Sequence, residues 1–325
     1  EKGNEKNMQE VTIVIPNYNG RKLLENCLGT LEKQTVRDFK VLVIDNGSTD
    51  HSTDLQSDRL DLEMITLPEN LGFCGAVNLG ISRTKTPYLI LLNNDTEVDE
   101  HFVEALLHAV KRSERIFSCG AQMIDYHHRE LLDNAGDLYT AMGWAVARGK
   151  GKPCSEFDRP SNVFSCCGGA AIYRMELLEK TGGLDEHHFA YLEDVDLGYR
   201  ARIAGYVNTY EPSAKVFHVG SATTGTRYNT KKVFLAARNT IFVIYKNMPS
   251  LQLLLNLPFI LAGMIVKSLF FLKKGFIGEY LKGIAEGLKD CRKCKKVKFQ
   301  WKNTGNYCRI QLELWWDIFR VILHN

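Results

Sequence analysis

Apolar residues along the first two-thirds of the chain alternate between two rhythms. Residues 11–15 and 39–44 are short apolar runs that predict buried strands, and 62–67 and 88–92 predict a third and a fourth strand. Between them, residues 21–34 place Leu23, Leu24, Cys27, Leu28 and Leu31 at helical spacing, and 75–84 and 101–112 predict further helices. Strand and helix alternating with short connections predict an α/β fold, a mostly parallel Rossmann-like sheet flanked by helices. Sheets of this kind bind ligands beyond the carboxyl ends of their strands. The clusters Asn17-Tyr18-Asn19, Asp45-Asn46 and Asn93-Asn94-Asp95 each follow a strand directly, so they are expected to meet in one crevice.

The pattern is mixed over 116–172. Two helices then follow at 175–181 and 193–204, closed by Gly182-Gly183 and Gly205, and 206–219 reads as extended. The texture changes near 231. Residues 248–266 carry no charge, although Pro249, Gln252, Asn256 and Pro258 interrupt them. The expected organisation is a polar tail (1–10), an α/β domain (11–230) and a helical, hydrophobic and basic region (231–325).

Composition sharpens this only in places. With 325 residues and 45% hydrophobic content a packed core is expected rather than disorder. The formal charge is +3, yet residues 267–302 hold 11 Lys/Arg against 3 Asp/Glu, a local excess of +8 that leaves about −5 elsewhere. The C-terminal third is therefore expected to face something anionic. The first ten residues lack an apolar segment, so no cleaved secretory signal is expected there. Nine cysteines at irregular spacing suit free thiols, and the Cys291/Cys294 pair lacks the second pair of a zinc site.

Several positions carry candidate chemistry. Asp95 at a strand exit could hold a hard divalent cation against a diphosphate, or merely cap the next helix. Asp45 could accept hydrogen bonds from a base or ribose, or form an Asx turn. The loop from Asn70 to Gly75, with Asn78 beyond it, opens a helix whose N–H groups suit phosphate, without the dinucleotide or Walker signatures. Glu193, Asp194 and Asp196 crowd three acids into four positions, an arrangement suited to cation binding or proton transfer, or to a solvated helix start. His218 ends an apolar run, where a core histidine is the ordinary outcome. Arg238 could clamp a phosphate or sit in a surface ion pair.

In order, the stretches 11–20, 43–50, 69–73, 92–96, 191–200 and 218–223 resemble glycosyltransferase family 2, inverting transferases of GT-A fold, and look most similar to its bacterial rhamnosyltransferase branch. The resemblance implies roles position by position. Pro16, Asn17, Tyr18 and Asn19 would line the nucleoside pocket, Asp45 would read the pyrimidine, and Asn70 and Asn78 would border the donor. Asn93-Asn94-Asp95 stands where the family has Asp-x-Asp, which leaves Asp95 as the single carboxylate for Mg²⁺ or Mn²⁺. Asp194 would be the general base, Glu193 its support, and His218 a further metal ligand.

The expected activity is metal-dependent transfer of a sugar, L-rhamnose from dTDP-rhamnose, to a hydroxyl of a lipid-linked saccharide during bacterial cell-surface polysaccharide synthesis. Alternatives are a UDP-hexose donor or a silent membrane scaffold, and the acids at 193–196 argue against the latter. A nucleotide-dependent oxidoreductase would need the missing glycine fingerprint. The 248–272 segment is expected to be an in-plane or re-entrant element at the cytoplasmic face of the cell membrane, peripheral or monotopic, with a full span or a buried helix of the fold as the alternatives. The basic stretch would then meet anionic lipid, with Trp301, Trp315 and Trp316 at headgroup level. No module for nucleic acid accompanies the basic patch.

Overall fold

The computed structural model describes residues 9–220 and 228–324, so part of the polar tail and Ser221–Thr223 of the last motif lie outside the described residues. The strands are β1 (Val11–Asn17), β2 (Phe39–Asp45), β3 (Asp61–Thr66), β4 (Tyr88–Leu92), β5 (Thr96–Val98), β6 (Ile116–Asp125), β7 (Leu132–Asn134), β8 (Asp137–Tyr139), β9 (Ala145–Ala147), β10 (Ser161–Val163), β11 (Ala170–Arg174) and β12 (Val207–His218). The helices are α1 (Arg21–Leu31), α2 (Gly72–Arg83), α3 (Phe102–Lys111), α4 (Met175–Thr181), α5 (Glu193–Ile203), α6 (Thr230–Asn247), α7 (Ser250–Lys274), α8 (Ile277–Asp290) and α9 (Thr304–His324).

The unbroken apolar runs are explained by two cores. Ile13, Ile15, Val41, Val43, Ile90 and Leu92 face one core together with α1 and α3. Val14, Leu42, Ile44, Leu89 and Leu91 face the other with α2, α4 and α5. Alternate side chains on a strand point to opposite faces, so a strand covered on both sides must be apolar throughout.

The main sheet runs β10-β12-β6-β11-β4-β1-β2-β3. The N-terminal half, β3-β2-β1-β4, is parallel. Then β11 enters antiparallel between β4 and β6, and β12 returns parallel to β6. The order reverses at β1/β4, which is where a ligand crevice opens in such sheets. β12 carries the chain back, and its last residue, His218, pairs with Thr96 beside Asp95.

The helices after 229 share a core with the hairpin β8–β9 and α5. Val243, Ile260, Ile310 and Leu314 pack with Tyr139, Phe164, Val195 and Tyr199. α7 is inverted relative to an ordinary surface helix. Its buried residues are Gln252, Asn256, Ile260 and Gly263, while Leu251, Leu254, Leu261, Ile265 and Leu269 are exposed. The polar interruptions in the run have partners: Tyr199 donates to Gln252 at 2.8 Å, and Asn256 and Gln311 exchange amide hydrogen bonds at 3.0 and 2.7 Å. α7 is long and apolar enough to cross a membrane by length and composition, with a mean hydropathy of 2.0.

Candidate active site

The end of β1 meets the ends of β2 and β4 through side chains. Asn17 donates to Asp45 Oδ1 at 2.8 Å, and Asn94 donates to Asn17 Oδ1 at 2.7 Å. Ser48 closes on Asp45 through its N–H (2.9 Å) and hydroxyl (2.6 Å), and its oxygen accepts from Asn19 N. Asp45 is thus buried with both oxygens engaged by Asn17 and Ser48. Tyr18 is exposed at 39% beside it, and Pro16 is partly buried in β1. Asn70 caps its own turn by accepting from Gly72 N at 2.8 Å. Gly72 needs its φ of +78°, and a Cβ there would strike the Phe189 ring at 2.5 Å.

Asp95 and His218 face each other with Oδ1 and Nε2 3.3 Å apart. The other ring nitrogen, Nδ1, lies 2.8 Å from Asp133 Oδ2, and Asp133 is in turn paired with Lys150. Burial alone would depress the imidazole pKa, but the hydrogen bonds to Asp133 and Asp95 prevail and push it up to about 9. In this ion pair the imidazole is the proton donor to Asp95; once deprotonated, Nε2 and the adjoining carboxylate are side-chain types that suit a divalent cation, with Asp133 orienting the ring. An open pocket of about 220 Å³ adjoins Asp95, lined also by Asn26, Glu97 and Tyr126. Asp133 escaped the sequence reading because it lies 85 residues from His218 in an irregular segment.

The acids of α5 divide. Asp194 accepts from Gly168 N at 3.0 Å and Val195 N at 2.8 Å. The neighbouring Gly169 O accepts from Asn93 N at 2.8 Å, which ties the base candidate to the strand end that carries Asp95. Burial raises the pKa of Asp194 despite those backbone donors. Glu193 is buried with Oε2 unpartnered, and burial plus the Asp194 charge raise it strongly. Asp137, which sequence reasoning did not single out, is pushed up to about 8 by burial and by the Asp194 charge. Asp196 belongs to a different network: Lys246 at 2.8 Å, Arg200 at 3.0 Å and Asn247 at 2.8 Å hold it well below the carboxylate range against a large burial penalty.

The segment before α5 is strained. Phe189, Tyr191 and Leu192 have φ of 61°, 74° and 65°, a conformation costing roughly 1–3 kcal/mol per non-glycine residue. α6 holds it in place. Asn239 donates to the carbonyls of His188, Ala190 and Tyr191 at 3.0, 2.8 and 2.8 Å. Arg238 donates to those of His187 and His188 at 2.9 and 3.0 Å. The guanidinium expected at a phosphate therefore serves the loop that aims Asp194. Asn78 likewise has both ends of its amide on the 184–186 segment, at 2.9 Å each. Its neighbour in space is this loop rather than the strand-end cluster.

The fold is of GT-A type, the class to which the solved glycosyltransferase structures it matches belong. Residues 12–182 match the profile of Glycosyl transferase family 2, and the chain belongs to that family and is a glycosyltransferase. It is 28% identical to the N-acetylglucosaminyl-diphospho-decaprenol L-rhamnosyltransferase of Mycobacterium tuberculosis over 70% of this chain and 84% of that one. It is 27% identical to the O-antigen chain rhamnosyltransferase RfbN of Salmonella typhimurium over 64% of this chain and 66% of that one. Among solved structures, GalNAc-T7 with UDP, GalNAc and Mn²⁺ superposes with a TM-score of 0.60 at 15% identity, over 74% of this chain and 48% of that chain. The mannosyltransferase PcManGT of Pyrobaculum calidifontis with GDP-Man and Mn²⁺ gives 0.53 at 14% identity, over 87% and 86%. These structures share the fold.

Proposed function

We propose that this chain is an inverting, divalent-metal-dependent rhamnosyltransferase that transfers L-rhamnose from dTDP-rhamnose to a hydroxyl of a lipid-linked saccharide at the cytoplasmic face of a bacterial membrane. The observation that supports it most is the gathering of Asp95, His218 and Asp194 about one strand end, linked through the Asn93–Gly169 hydrogen bond. The names of the two rhamnosyltransferase relatives support the sugar, and the first supports the lipid-linked acceptor.

In this reading Asn17, Tyr18 and Asn19 receive the nucleoside, with Asp45 holding Asn17 and Ser48 in register. Asp95 and His218 would hold Mg²⁺ or Mn²⁺, which when bound neutralises charge on the departing diphosphate. Asp133 keeps the His218 ring turned toward Asp95. Asp194, raised by burial, takes the proton from the attacking acceptor hydroxyl, a role worth roughly 10²–10⁴-fold in rate. Attack opposite the leaving diphosphate inverts the anomeric carbon.

The outward apolar face of α7 supports membrane association. Both ends of α7 pack on one body, through Gln252 to Tyr199 and through Phe271 to Tyr280. A helix held along its length in this way lies in the interface with its apolar face in lipid. Exposed Trp301 and Trp316 suit the headgroup level. A panel of nucleotide sugars, with Mn²⁺ and with a chelator, tests the reading. Faster turnover of a UDP-hexose than of dTDP-rhamnose would refute the donor, and full activity in chelator would refute the metal.

A further inference from the structure

A second cavity is lined by residues other than those of the strand ends. It encloses about 300 Å³ between the turn after β8, α7 and α9, and its walls are Met142, Trp144, Val266, Ile318 and Ile322, with Thr140 as the polar exception. Gly263 lets α7 approach closely, since a Cβ there would lie 2.8 Å from Met142 Cβ. At its edge stands Lys267, whose Nζ lies 5.4 Å from the centroid of the Trp144 ring. No carboxylate raises this ammonium among the described residues, and burial lowers it to about 8. A positive charge held at the rim of an apolar groove without an acidic partner suits an amphipath with an anionic head.

The groove also connects to the reaction centre. The hairpin that forms its wall begins at Asp137, close enough to Asp194 for their charges to couple. From Asp137 to Met142 is five residues, about 17 Å at most for extended chain. Across the cleft, Phe270 and Phe271, one turn beyond Lys267, pack on Tyr228 at 5.7 and 5.9 Å. Tyr228 immediately precedes α6, whose Lys231 lies over the Phe189 ring at 4.8 Å. Aromatic and cationic side chains thus recur between the end of α7 and the loop that precedes α5.

Building on the transferase reading above, we infer that this groove holds the lipid chain of the acceptor and that Lys267 meets the acceptor's diphosphate. The sugar to be modified would then reach Asp194 while its tail stays in the groove. The groove opens on the outward face of α7 and α9, where Val266 and Ile322 are exposed, so a tail can enter it from the membrane, and the Lys267 ammonium at its rim over Trp144 supplies the charge that an anionic diphosphate needs.

The test uses the full chain and two acceptors, N-acetylglucosaminyl diphosphate on a decaprenyl chain and on a hexyl chain. The wild-type KM is expected to be about tenfold or more lower for the long chain. Val266→Trp, which fills the groove, is expected to raise the long-chain KM to the short-chain value and so erase that preference. Lys267→Gln is expected to raise KM for both acceptors about tenfold, with Lys267→Arg restoring it. A wild type indifferent to chain length, or a V266W enzyme that keeps the preference, would overturn the inference.

A second measurement stands apart from turnover and from any misfolding of V266W. A brominated long-chain alkyl diphosphate is expected to quench the fluorescence of the wild type more strongly than that of Trp144→Phe, which lacks the groove indole. Quenching only by brominated phosphatidylcholine vesicles would mark the groove as a general lipid surface and overturn the inference. If no nucleotide sugar is turned over with any acceptor, the rhamnosyl-transfer reading fails, while the quenching result still decides the groove.

Discussion

Asp194 and Asp196 sit two residues apart on the first turn of α5, in opposite electrostatic surroundings. Asp194 looks toward Gly168 and the strand ends, has only backbone donors, and shares its neighbourhood with two further acids, Glu193 and Asp137. Asp196 looks toward α6 and is closed in by Lys246, Arg200 and Asn247. Both are penalised by burial, yet one carboxyl is raised and the other lowered. The difference shows how one helix turn can present a proton acceptor on one side and a structural anchor on the other. A group free of cations has proton affinity to use, whereas a group saturated with them is locked as an anion.

The largest expected effect comes from removing the acceptor: Asp194→Asn should lower kcat by roughly 10²–10⁴-fold with the unfolding midpoint little changed. Retained turnover would show that the raised acid is not the base. On the other side, Lys246→Met leaves the fully buried Asp196 with one of its two cations and should cost about 3–5 kcal/mol of stability, read as a lower urea midpoint. Pairing it with Asp196→Asn should recover much of that loss, and a double variant no better than the single would break the account.

Smaller effects should sharpen the comparison. Asp133→Asn should weaken Mn²⁺ binding roughly 10–100-fold in a direct calorimetric titration, since His218 loses the carboxylate that orients it. Unchanged affinity would place the cation elsewhere. Asp137, raised to about 8 in the fold, favours its protonated form. Its contribution is therefore complete below the ordinary carboxylate pKa and lost as pH climbs toward 8. Asp137→Asn cannot ionise, so it should match the wild type near pH 4 and gain on it steadily as pH rises, by several kcal/mol (on the order of 5) near pH 8. Equal pH profiles in thermal melts would argue that Asp137 is already charged.

Much of the architecture was legible in the chain. The four predicted strands became β1 to β4 because each strand feeds two cores, and the polar clusters after them met by direct hydrogen bonds. Other features were not legible, for identifiable reasons. Asp133 and Asp137 lie in a stretch of three-residue strands with no usable periodicity. The insertion of antiparallel β11 beside β4 depends on contacts some 80 residues apart. Pro258, Gln252 and Asn256 weakened the expectation of a long helix, yet α7 runs unbroken from Ser250 to Lys274. The amides face inward to Tyr199 and Gln311, partners invisible to a local window.

The sequence alone determined the order of the motifs, the strand ends that carry them and the family to which they belong, because strand periodicity and turn chemistry act over a few neighbouring residues. Only the tertiary structure decided which acid of 193–196 is paired with cations and which has backbone donors alone, that Asp133 orients His218, and that Arg238 and Asn239 brace the strained loop. Those outcomes depend on burial and on charges within a few ångströms, contributed by residues some fifty to eighty positions away in the chain.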